Sequence, residues 1–399
     1  MLFFPRIYFY FFLTLNNIMV NIINMFRKPK PLVPYEYQRA RRMVSLKEQE
    51  KIVSKLKEPL LEHRMTDFFG RVDKTMATKM KEGPGKVFVV MSGAGQRFWA
   101  YLGFLHGLDK HKIPISAYIG TSGGALAGML AALEYDYEEV IKKLDGHMEY
   151  LFYDFDFSAL LKLKNVCRGE RIREYIRKSL SRPSLDFSNG LDFYVVATAI
   201  NIYEKVGGSF AYRRFAPVVF GKGFTENFPV ADGLYASICL PNFEPIVAEE
   251  NIRFYGVNES GKKVEYISGN KEVGLTYLVD GGYTSHKPVE VAVHLYNPEE
   301  DMIILLTPTG DFKPKEVNLI NSFFTLPLSI DIEGEFSRKM KNFENENIMV
   351  VYIQDWVSGE YDITNVRPND FSKIRMLYDA GKEAAIRWLY HYYGISLFI

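Results

Sequence analysis

Ile115-Ser116-Ala117-Tyr118-Ile119-Gly120-Thr121-Ser122-Gly123-Gly124-Ala125-Leu126-Ala127-Gly128-Met129-Leu130 passes from an apolar run, through a glycine-flanked serine, into a helix-like segment. The stretch reads as strand, sharp turn and helix. The turn forces the Ser122 backbone into a strained conformation, and Gly120 and Gly124 let strand and helix approach closely enough for the hydroxyl to stand free. A hydroxyl so placed is a candidate nucleophile for acyl transfer; the plainer reading is a turn with a helix N-cap. Upstream, Lys86-Val87-Phe88-Val89-Val90-Met91 reads as a second strand. It runs into Ser92-Gly93-Ala94-Gly95-Gln96-Arg97 and then Trp99, Leu102, Leu105 and Leu108 at helical spacing. Two successive units of strand, glycine loop and helix imply a parallel sheet whose loops share one edge.

Acyl transfer needs hydrogen-bond donors aimed at a developing oxyanion. Consecutive N–H groups in a glycine-rich loop opening a helix supply them without a bulky side chain in the way. Gly93, Ala94 and Gly95 are the candidates. The same loop opens like a dinucleotide fingerprint, but the third glycine position is Phe98 and no acidic residue closes a second strand about twenty residues on. No cofactor is therefore expected. A serine also needs a base. Of His63, His106, His111, His147, His286, His294 and His391, only His286 stands near a strand-end loop. Aspartate is the better candidate: Leu275-Thr276-Tyr277-Leu278-Val279 reads as a buried strand ending in Asp280-Gly281-Gly282. Strand C-termini line the crevice of an open parallel sheet, so Asp280 is expected to face Ser122.

These residues resemble the patatin-like phospholipases, serine acyl hydrolases that work with a Ser–Asp dyad. The resemblance covers roughly Val87 to Leu306, in the family's order. Its landmarks are the loop Gly93-Ala94-Gly95-Gln96-Arg97, the elbow Gly120-Thr121-Ser122-Gly123-Gly124, the segment Ala236-Ser237-Ile238-Cys239-Leu240-Pro241, and the motif Asp280-Gly281-Gly282. It implies an α/β three-layer sandwich with a mostly parallel central sheet. It also implies that Ser122 attacks an ester carbonyl while Asp280, its basicity raised by partial desolvation, takes the proton directly. The N–H groups around Gly93, Ala94 and Gly95 would hold the oxyanion, and Gly281 and Gly282 would shape the turn after the base. Arg97 would add positive charge near the loop, or else serve as an ordinary ion-pair residue. A lipid or ester substrate of phospholipase A or lysophospholipase type is implied, with a membrane surface as partner. A catalytically weak lipid-binding scaffold of the same fold and an acyltransferase on the same dyad are the alternatives.

Three positions depart from the family's pattern. Ala94 stands where a glycine is usual, and alanine would be strained by roughly 1 kcal/mol or more if that position needs positive φ. Phe98 follows the arginine where the family has glycine, and His286 stands where it has asparagine.

With 399 residues, 47% hydrophobic and 24% charged, the chain has the composition of a large folded core. A net charge of +1, with cations scattered among acids, gives no nucleic-acid signal. Cys167 and Cys239 stand far apart without Cys or His companions, which argues against a disulfide scaffold and a zinc site; both read as buried apolar residues. Residues 1–26 are apolar, with Arg6 their only charge, and precede Arg27-Lys28-Pro29-Lys30. They read as an anchor that leaves the catalytic domain cytoplasmic, or as a segment never made if Met19 or Met25 is the true start, with a cleaved signal the least favoured reading because no small-x-small site is present. Residues 27–85 read as a charged helical arm and 86–399 as the catalytic domain. Helices are expected over Tyr137–Leu151, Arg168–Leu180 and Phe371–Tyr392. Strands are expected over Asp192–Ile200, Met302–Leu306 and Ile348–Ile353, with a hairpin through Phe220. The apolar stretches Tyr150–Phe157 and Phe323–Leu328 read as core or as an acyl-chain wall. No oligomeric state follows from the sequence.

Overall fold

The computed structural model describes residues 86–308 and 339–393, apart from 112, 114, 153, 155–166, 181–185, 190–191, 241–242, 344–347, 359–360, 364–365 and 367–369. The N-terminal segment, the charged arm and Phe323–Leu328 lie outside the described residues.

Ten strands form one sheet among these residues, and its centre is parallel in the order β10-β9-β1-β2-β3. Strand β1 (Val87–Met91) lies between β2 (Ala117–Thr121) and β9 (Met302–Thr307), with β10 (Ile348–Tyr352) outside β9. Its five residues are all buried, as an unbroken apolar run in a parallel sheet covered on both faces should be. Val87, Val89 and Met91 join one core; Phe88 and Val90 join the other. On the first face lie α1 (Phe98–Lys110), α2 (Gly123–Ala132), α3 (Tyr137–Leu144), α4 (Met148–Phe152), α5 (Glu170–Ser179), α6 (Val230–Ile238) and, later in the chain, the C-terminal helix. The second face is covered by α7 (Val289–Leu295) and Phe343. The expected three layers are present, and α8 (Ile374–Tyr393) closes the first of them against α1.

Boundaries differ where local chemistry intervenes. The single helix expected over Tyr137–Leu151 is two, α3 and α4, because the chain turns at 145–147. Asp136 caps α3 by accepting from the Glu139 N–H at 3.0 Å. Strand β3 (Phe193–Val206) runs six residues past its expected end and turns back as β4 (Ser209–Phe220). The hairpin of β6 (Arg253–Val257) and β7 (Lys263–Ser268) was not expected, and neither was the short β5 (Ile246–Val247).

The length of β3 decides the site. On one side it pairs with β4 throughout; on the other it is shared end to end by β2, then β8 (Tyr277–Asp280), then β7. Strand β8 is antiparallel, so the sequence-based expectation of a parallel strand is corrected: β8 comes down on β2 from the opposite direction. Thr121 pairs with Val196 and Asp280 with the next residue, Ala197. Two strand C-termini therefore abut on consecutive residues of a third.

Candidate active site

Ser122 follows Thr121 with φ 53° and ψ −124°, a positive φ that a non-glycine residue adopts only under constraint. Packing supplies the constraint. A Cβ on Gly124 would sit 2.4 Å from the Met91 carbonyl oxygen, so α2 is seated directly on the end of β1 and the turn has no room to relax. Gly120, next to last in β2, lies just as closely beneath the Gly124 carbonyl, and Gly281 is wedged between Val196 and Thr121. The Ser122 N–H donates to Ser237 Oγ at 2.9 Å, and that hydroxyl donates onward to the Val196 carbonyl at 2.6 Å. Ser237 belongs to the Ala-Ser-x-x-x-Pro segment, for which sequence reading assigned no individual role.

The Ser122 hydroxyl donates to Asp280 Oδ2 at 2.7 Å. Oδ1 accepts the Gly282 N–H at 2.7 Å, and the Asp280 N–H is held by the Cys239 carbonyl at 2.9 Å. Asp280 is 1% exposed. Burial pushes its carboxyl up to about 6, against the opposite pull of the hydrogen bonds from Ser122 and Gly282. The two expected site residues are thus in contact, with the carboxyl more basic than a solvated aspartate. Three of the described histidines are engaged elsewhere: His106 with the Tyr378 hydroxyl, His147 with the Asp145 carbonyl and His294 with the Gly261 carbonyl.

The glycine-rich loop lies against the elbow. A Cβ on Gly123 would meet the Gly95 nitrogen at 3.3 Å and the Phe98 Cβ at 3.0 Å. The positive φ in this loop, 52°, falls on Gly95; Ala94 has φ −141°, so the strain contemplated for alanine does not arise. The three expected donors separate into one and two. Gly93 already gives its N–H to the His286 carbonyl at 2.9 Å, which leaves those of Ala94 and Gly95 for an oxyanion. The Arg97 Nε donates to the Val366 carbonyl at 3.0 Å, with Tyr101 and Asp362 nearby, so Arg97 ties the loop to the C-terminal segment. Phe98 is 2% exposed and packs on Trp99. The His286 ring packs against Gly93; burial, with Lys287 and Lys339 nearby, holds its pKa down at about 3, so it is neutral.

An apolar cavity of about 40 Å³ lies along α2, lined in part by Phe98, Leu126, Met129, Leu151, Ile172 and Ile176. Leu126 is one helical turn beyond Ser122. Leu151 comes from the Tyr150–Phe157 stretch, of which only 150–152 and 154 are described. Cys167 and Cys239 are buried free thiols, as expected, and burial pushes Cys239 up to about 12. No three His, Cys, Asp or Glu side chains among the described residues are grouped to hold a metal. Among them, too, no helix is long and apolar enough to cross a membrane.

Ser237→Ala would leave the Ser122 N–H without its acceptor in the packed elbow. Loss of about 1–3 kcal/mol of stability is expected, measured as a shift of the urea midpoint. A shift under about 0.5 kcal/mol would show that the elbow does not depend on this bond.

A crystal structure of VipD from Legionella pneumophila matches this chain with 13% identity, over 77% of this chain and 67% of that one, at a TM-score of 0.37. The family model for patatin-like phospholipase matches residues 89–293, just over half of the 399 residues, and spans both the elbow and the Asp-Gly-Gly turn. This chain belongs to the patatin-like phospholipase family.

Proposed function

We propose that the chain is a serine lipid acyl hydrolase that cleaves carboxylic esters through an acyl-enzyme on Ser122, with Asp280 as general base. The observation behind it is the 2.7 Å hydrogen bond from the Ser122 hydroxyl to a buried carboxylate. As Oγ bonds to the ester carbon, its proton passes to Asp280 Oδ2, and the oxyanion is received by the Ala94 and Gly95 N–H groups. Collapse expels the alcohol, which takes that proton from Asp280. A water then gives a proton to the same carboxylate as its oxygen bonds to the acyl carbon; collapse breaks the bond to Ser122 Oγ, which takes the proton back from Asp280, and the free acid is released. The apolar cavity beside Leu126 and Phe98 supplies a wall for the start of an acyl chain.

The test uses a fluorophosphonate probe and a short-chain nitrophenyl ester, with chelator present throughout. Wild type is expected to be labelled on Ser122, located by peptide mass spectrometry, and to hydrolyse the ester; Ser122→Ala is expected to do neither. Folded wild type that is neither labelled nor active would overturn the proposal.

A further inference from the structure

The hairpin of β3 and β4 projects from the active-site edge. Val196 is level with Thr121, and β3 continues ten residues further in the direction in which β2 points at Ser122. At about 3.3 Å per residue that is some 30 Å of strand beyond the nucleophile. Its outer end has an unusual face. Phe210 and Tyr212 alternate along β4 and so share one side; Phe210 is opposite Lys205, and Tyr212 is opposite Tyr203 with rings 5.7 Å apart, while Arg214 follows at the break in the β3–β4 ladder, where Asn201 has φ 58°. Phe210 is 50% exposed and Tyr212 54%, and beside them the Tyr203 hydroxyl reaches the carbonyl of Val273, itself 54% exposed. A soluble surface rarely leaves such side chains contiguous without a use.

Charge on the same face is lopsided. Across the register from β3 through β7 to β6, Lys205 and Arg253 share one carboxylate, Glu265, which meets Lys205 at 2.9 Å and Arg253 at 3.6 Å. Arg214 lies over the Phe215 ring and pairs with no carboxylate among the described residues. On the opposite face Arg213 is neutralised by Glu204 at 2.6 Å. The cationic excess therefore lies beside the exposed Phe210 and Tyr212. Exposed aromatic side chains flanked by an excess of cations over carboxylates match the interfacial zone of a bilayer whose headgroups are anionic.

We propose that this face, built from Lys205, Phe210, Tyr212, Arg214 and Arg253, docks the protein on an anionic lipid surface and presents the crevice of Ser122 and Asp280 to it. The proposal rests on the lipid hydrolase reading for its purpose, but its measurement does not. Docking is read by sedimentation of the full-length protein with phosphatidylcholine vesicles containing about one-quarter phosphatidylserine, whether or not the serine is active. Wild type is expected to bind these vesicles, more weakly as salt is raised, and to bind pure phosphatidylcholine vesicles less well. Phe210→Ser/Tyr212→Ser/Arg214→Ser should weaken binding about a hundredfold with an unchanged thermal midpoint, and Arg214→Gln alone about fivefold on the anionic vesicles only.

Wild-type binding by the triple variant would overturn the proposal. So would equal binding of wild type to neutral and anionic vesicles, or a triple variant that changes only the protein's mass in light scattering, which would mark the face as a contact between copies of the chain. Failure of fluorophosphonate labelling with these vesicle results intact would instead remove the hydrolase reading and leave the docking face standing.

Discussion

Asp280→Asn is expected to lower kcat on the nitrophenyl ester by on the order of a thousandfold while making the folded protein more stable at neutral pH. Both effects come from the same burial. A carboxylate at the end of β8, 1% exposed, is a stronger base because water is excluded, and for that reason it costs more to ionise. Its folded pKa of about 6 lies above the ordinary 3.8 of an unfolded chain, so the native state holds this proton more tightly. The resulting stabilisation is fully present below the unfolded value and is lost as pH rises through about 6. Two units correspond to about 3 kcal/mol at neutral pH. Asparagine removes that cost and can still accept the Gly282 N–H through its carbonyl oxygen. The variant's advantage in denaturation midpoint should therefore be largest above pH 6 and vanish near pH 4, while wild-type activity rises with pH through about 6 as the carboxylate forms. A variant that keeps a tenth of the wild-type kcat, or whose stability advantage is the same at both pH values, would contradict this account.

The proposed nucleophile was legible because its geometry is local. Gly120, Gly124 and the apolar runs on either side specify a strand-to-helix turn whatever surrounds them, and the structure gives Ser122 its positive φ there. Asp280 was legible as a strand-end carboxylate, but the direction of its strand was not. That β8 meets β2 end to end along β3 depends on pairings between residues about eighty apart, which no local pattern encodes. The same holds for the donors. Consecutive glycine-loop N–H groups look equivalent in sequence, and only the approach of the His286 carbonyl removes Gly93 from the set. Arg97 and Phe98 read as part of the oxyanion loop by adjacency, yet at a helix start neighbouring side chains diverge, one toward Val366 and the other into the core. Ser237 could have been singled out: a hydroxyl residue in the apolar second half of a helix, Val230–Ile238, needs a polar partner once buried.

Lys339→Met is expected to destabilise the protein by about 3–5 kcal/mol, the largest structural effect anticipated outside the apolar core. Lys339 and Glu290 are each 2% exposed, with Nζ 3.1 Å from the carboxylate, so removing the cation strands a buried charge. The pair also bears on the site. Lys339 Nζ donates to Ser285 Oγ at 3.1 Å, and Ser285 Oγ itself donates to Glu290. The Ser285 backbone receives the Thr121 hydroxyl at 2.8 Å on its carbonyl and gives its N–H to Gly281 at 2.9 Å. Ser285 therefore joins the residue before the nucleophile to the residue after the base. Replacing both charges, Lys339→Met with Glu290→Leu, should recover most of the stability, since an apolar pair of similar volume carries no desolvation cost. It should not recover kcat, because Ser285 would still have lost the partners that fix its hydroxyl. A double variant with wild-type kcat would make the pair a device of folding alone. Restored midpoint with reduced kcat and unchanged KM would identify it as the clamp that holds Ser122 and Asp280 in register.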